Sequence, residues 1–129
     1  MGTHAMIGIW NADTGVVTAS YVHYDGYVEG VGRMLVEHYN DYIGAAFVAT
    51  GGYLSSLQSD YAKSRNESVH KDPATHYSSV EEYAFEGYDY ACAHYLYLWD
   101  GEAWFFAERG GNRNRQFEEV QMNLSKVGA

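Results

Sequence analysis

Four side chains near the first third of the chain carry the groups of acid–base or metal chemistry: His23, Asp25, Glu37 and His38. Where a strand runs through His23 and Asp25, two-residue alternation puts both on one sheet face. An imidazole and a carboxylate placed that way can shuttle a proton or hold a divalent ion. Glu37 and His38 fall on a helix about 100° apart, so the four groups cannot all converge. Structural roles suit these residues better. Asp25 with Gly26 forms a turn whose carboxylate accepts backbone amides, and His38, on the core-facing stripe of its helix, donates to a carbonyl or a Tyr hydroxyl. No catalytic residue, metal or cofactor is assigned, and a metal-dependent enzyme is kept only as an alternative.

Two further groupings could recognise a ligand. The run Glu81 to Tyr90 holds Glu81, Glu82, Glu86 and Asp89 among tyrosines, and Glu118 and Glu119 can add to it. Glu82 and Glu86 are one helical turn apart, about 5–6 Å between Cβ atoms, a spacing that suits mimicry of neighbouring phosphates or a protein contact rich in Tyr. A solvated helix face explains the same pattern more simply. Arg109, Arg113 and Arg115 are three of the five arginines and fall beside Gly110 and Gly111. With Trp104 they could frame an anion pocket for a nucleotide-like ligand, a small-ligand alternative to a protein-binding role. Pairing with surplus surface acids is the simpler use of them.

These groups must be positioned by a fold that 129 residues can supply as one domain. Thirteen Tyr, five Phe and three Trp furnish a core of unusual aromatic content. The lone Cys92 excludes an internal disulfide. Eight basic against seventeen acidic residues give a net charge of −9, which argues against direct nucleic-acid binding and for basic or neutral partners. No apolar run reaches the roughly 18 residues of a membrane span, and the N-terminus lacks a signal-peptide profile, so a soluble cytoplasmic protein is expected.

Periodicity predicts an α+β domain. Met6 to Trp10 and Val16 to Tyr24 read as a hairpin across a loop ending in Gly15. Val28 to Tyr42 carries Val31, Met34, Leu35, His38 and Tyr42 at helical spacing, so it reads as the main amphipathic helix despite Gly30 and Gly32. A short helix, a Gly51-Gly52 turn and a second helix from Tyr53 follow, then a long loop over 59–79. Ser78 or Ser79 caps a helix that runs to about Phe85. Ala91 to Trp99 and Glu102 to Ala107 read as strands joined by a type I′ Asp100-Gly101 turn, and the unbroken apolar run Tyr95 to Trp99 predicts a central strand covered on both faces. Residues 116–125 fit a helix or a short strand. The expected architecture is an antiparallel sheet of two hairpins with the 28–42 helix on one face.

The segment Tyr21 to Tyr39 also resembles the pattern Y-x-H-(W/Y)-D-G-Y-x-E-x-x-G-x-x-L-x-x-H-Y of a family of small proteins common in tailed-bacteriophage genomes. Thr3 and Ile7-Gly8-Ile9 resemble that family's opening, and Tyr24 stands where many relatives have Trp. The likeness is strongest over residues 3–42 and returns at Glu82-Tyr83 and at Tyr95–Trp104. It implies a phage accessory protein acting in the bacterial host by binding, as an inhibitor or modulator of a host defence or nucleic-acid-processing protein. It further implies that His23, Tyr24, Asp25, Gly26, Tyr27 and His38 are the positions that serve that role. Self-association is left open.

Overall fold

The computed structural model describes residues 3–109 and 117–120. Two runs of strand-forming residues build the expected first hairpin: β1 (Ala5–Trp10) pairs antiparallel with β2 (Val17–Val22), in a register that sets Ala5 against Val22. Six strands form one mixed sheet in the order β3-β2-β1-β4-β5-β6, where β3 is Thr75–Tyr77, β4 Tyr95–Trp99, β5 Trp104–Glu108 and β6 Glu118–Glu119. The α+β class is as the periodicity indicates.

The sheet is not antiparallel throughout, because β1 and β4 lie side by side and parallel, Ala5 against Tyr95. Both strands are apolar on both faces and take the two middle positions. A parallel pair requires a long connection, and residues 11–94 supply it, passing through β2 and β3 with helices on either side of the sheet. Ile7, Tyr97 and Phe106 face one cluster with Val31, Leu35 and Val48; Met6, Leu96 and Ala107 face the other with Tyr77, Tyr83 and Tyr88.

The expected 28–42 helix is broken. Val28–Gly32 forms a wide π turn, α1 covers only Arg33–His38, and α2 begins afresh at Tyr42 and runs to Thr50. Gly30 presses so closely on the preceding turn that a Cβ there would lie 2.4 Å from the Asp25 carbonyl oxygen, which accepts from the Val31 amide. Tyr39 leaves helical geometry, and the Asp41 carboxylate caps α2 by accepting from the Gly44 amide at 2.7 Å.

The span 59–79 is also more ordered than a loop. Asp60 caps α3 (Tyr61–Asn66) by accepting from the Lys63 amide, and β3 adds an edge to β2. No helix starts at Tyr53; Leu54 instead bridges to Val22 in parallel. Ser79 caps α4 (Val80–Glu86) as expected, accepting from the Glu82 amide at 3.0 Å. A 3-10 turn over Gly87–Cys92 precedes β4, so that strand starts at Tyr95 rather than Ala91. The second hairpin closes through four residues, not two. The Asp100 carboxylate accepts from the Glu102 and Ala103 amides, and Gly101 has φ +108°. Glu118–Glu119 pairs with β5 as a short strand, and residues 116 and 121–125 lie outside the described residues.

Candidate functional site

His23 follows the last residue of β2 and is half-buried. The hairpin register that pairs Ala5 with Val22 brings His4 opposite it, and their rings stack with centroids 4.6 Å apart. His4 Nδ1 lies 2.8 Å from the His23 carbonyl oxygen, so that nitrogen carries the proton and donates. The Tyr21 hydroxyl is hydrogen-bonded to His23 Nδ1 at 2.9 Å, and the Tyr24 ring meets the imidazole edge-on at 4.6 Å. His94, at the start of β4, puts its ring 6.2 Å from that of His4. Burial first, then the charges His4 and His70 would carry, pushes His23 below the ordinary histidine value.

Beside His23 opens a cleft of about 660 Å³. Tyr21 and Tyr53 form part of its wall, ring centroids 5.7 Å apart, and His70 meets Tyr53 edge-on at 5.0 Å. Tyr24 and the carboxylates of Glu67 and Asp72 complete the parts that bear chemistry. Backbone bonds hang the distant segment on the end of β2: Leu54 donates to the Tyr21 carbonyl, His23 to that of Leu54 and Tyr24 to that of Ser55. Serine hydroxyls tie the loop below, since the Ser55 amide donates to Ser68 Oγ and the Val69 amide to Ser55 Oγ. Gly52 makes the approach possible. Its φ is +92°, and a Cβ there would sit 2.5 Å from the Asp72 carbonyl oxygen.

Asp25, Gly26, Tyr27 and His38 of the phage-like pattern separate from the cleft that Tyr21, His23 and Tyr24 line. Asp25 adopts a left-handed turn, φ 61°, and lines a different hollow of about 180 Å³ with Tyr27, Arg33 and Glu37. His23 and Asp25 therefore do not face a common site. Gly26 is buried: its amide donates to the Thr3 carbonyl at 2.7 Å and its own carbonyl accepts from the Tyr97 hydroxyl at 2.6 Å. His38 is exposed at the last turn of α1, not on the core-facing stripe, which runs through Val31, Leu35 and Tyr39. Among the described residues no three His, Cys, Asp or Glu side chains are placed to hold a metal ion.

Glu81, Glu86 and Asp89 are exposed, with Phe85 between them 64% exposed. Glu82 does different work. Its carboxylate accepts from the Ser78 hydroxyl and from the Ser78 amide, and these bonds hold it below the usual carboxylate value. Trp104 is 1% exposed and belongs to the core, so it does not frame an anion pocket. Arg109 is exposed and its amide donates to the His94 carbonyl; Arg113 and Arg115 lie outside the described residues.

Sequence reading missed His4, Tyr53 and His70 as neighbours of His23. His4 was accessible from hairpin register, while Tyr53 and His70 arrive through the crossover and leave no local signal.

The depressed His23 gives a pH prediction. An unfolded chain protonates this imidazole near 6.5, while the folded chain resists until lower pH. Between those values the unfolded state binds more protons, so stability is full above about pH 6.5 and is lost as pH falls through the folded value. Urea unfolding at pH 7.5 and 5.5 should show this acid loss in the wild type and a smaller one in His23→Gln. An equal loss in both would remove His23 as its source.

No helix of the described residues is long and apolar enough to cross a membrane. Comparison with protein-family models, curated proteins and solved structures found no match to the chain.

Proposed function

We propose that this protein acts by binding, as a phage accessory protein directed in the host cytoplasm at a bacterial defence or nucleic-acid-processing protein, and that α2 supplies the docking face. One observation carries the reading. Helix α2 buries Ala45, Val48 and Ala49 against the sheet, yet its outward residues Tyr42, Ile43 and Phe47 are apolar too and are 67%, 67% and 57% exposed. A helix apolar on all sides is normally covered on all sides, and a patch of large exposed apolar side chains marks a contact surface. Phe47 stacks with Tyr61 at 5.7 Å, which extends the patch onto α3. The acidic balance of the chain favours a basic or neutral partner. The resemblance of the 21–39 segment to phage proteins supports the host as its source.

The test is affinity capture from bacterial lysate with three proteins: wild type, Ile43→Asp/Phe47→Asp, and Glu81→Lys/Glu86→Lys. A stoichiometric partner held by the wild type and by the charge-reversed variant, and lost by the α2 variant, is the expected result. Loss only in the charge-reversed variant would move docking to the acidic helix. Light scattering that shows a wild-type dimer and a monomeric α2 variant would replace the host protein with a second copy.

A further inference from the structure

We propose that the cleft beside His23 binds a small organic cation of the quaternary ammonium class, held against tyrosine faces with a carboxylate at the rim. The site is separate from α2. Its wall brings together Tyr21, Tyr24 and Tyr53, and its volume of about 660 Å³ is in the range of small-molecule sites. Aromatic faces carry negative quadrupole potential and attract a cation within about 6 Å of the ring centroid. A methylated ammonium suits such a surface because it is bulky, weakly hydrated and unable to donate hydrogen bonds.

Histidines apart, the charged side chains of the wall are carboxylates. Glu67 and Asp72 are its carboxylates. Glu67 is already engaged, accepting from Gln58 Nε2 at 2.9 Å and lying 4.0 Å from Lys63 Nζ, so Asp72 is the counter-charge. Arg65 does not line the cleft; its guanidinium donates to the Tyr53 carbonyl. Of the two imidazoles, His23 is held toward its neutral form, first by burial. The two carboxylates would oppose an anion.

The probe is choline, with 3,3-dimethylbutan-1-ol as its neutral isostere, each titrated into the full-length protein at pH 7.5 by calorimetry or chemical-shift perturbation. Choline should bind at least about ten-fold more tightly than the isostere, consistent with a desolvated cation–π contribution. Tyr24→Leu and Asp72→Asn, both at exposed positions, should each weaken choline by several-fold and leave thermal unfolding unchanged. Equal affinity for the two probes would make the cleft merely apolar and overturn the proposal. So would no binding of choline, or choline binding that neither substitution alters.

Discussion

Tyr83→Ala is expected to lower the free energy of unfolding by about 3–5 kcal/mol, a large part of what a domain of this size possesses. The ring is wholly buried on the face of the sheet opposite α1 and α2. It lies over Gly8 of β1, where a Cβ would come 2.9 Å from Val17 Cγ1 and 3.1 Å from Tyr83 Cζ. Tyr77 packs at 5.2 Å and Phe117 stacks at 6.1 Å, nearly parallel. The hydroxyl donates to the Tyr97 carbonyl at 2.7 Å, and burial pushes its ionisation well above the ordinary phenol value. Tyr83→Phe keeps the packing and should cost only about 1 kcal/mol. Gly8→Ala should be clearly destabilising alone and less so when Tyr83→Ala is also present, since part of its clash is with the ring. Urea unfolding of the four proteins measures the cycle. Strict additivity would show that Gly8 and Tyr83 do not share the space assigned to them.

Trp104→Ala should cost a comparable amount, about 3–5 kcal/mol. The indole fills the other core, meets Trp99 edge-on at 5.4 Å and donates from Nε1 to the Tyr39 carbonyl at 3.0 Å. That carbonyl belongs to the residue closing α1, one of the helix-end acceptors that has no partner within the helix. One side chain therefore fills the core and fastens α1 to β5. Trp104→Phe retains most of the buried area but leaves the acceptor unmet, so a loss of about 1–3 kcal/mol is expected. Denaturant midpoints with unchanged slopes would confirm both values as stability effects. A loss under 1 kcal/mol for Trp104→Ala would contradict its placement in the core.

The phage-like pattern takes on a physical sense residue by residue. Gly26 must lack a side chain because Thr3 and Ala5 press on it, and Gly32 sits against the Tyr97 ring, a Cβ there falling 3.3 Å from Tyr97 Cε1. Leu35 and Tyr39 are core residues. Much of the pattern thus specifies how the π turn and α1 seat on the sheet. Tyr21, His23 and Tyr24 are the members that line the large cleft.

What the sequence by itself determined was local. The β-rich runs Met6–Trp10 and Val16–Tyr24 across the turn-forming loop at Gly15 specified the first hairpin, Ser79 specified the start of α4, and the unbroken run Tyr95–Trp99 announced a strand with both faces covered. These are short-range consequences of side-chain period, capping and burial. Tertiary structure decided the rest. Helical spacing over 28–42 was real, but the contact of Gly30 with Asp25 and the cap at Asp41 divided it, and neither is visible in a periodic count. The parallel pairing of β1 with β4, and the arrival of Tyr53, His70 and Asp72 beside His23, depend on the long connection over residues 11–94, whose ends meet only when both faces of the sheet are buried.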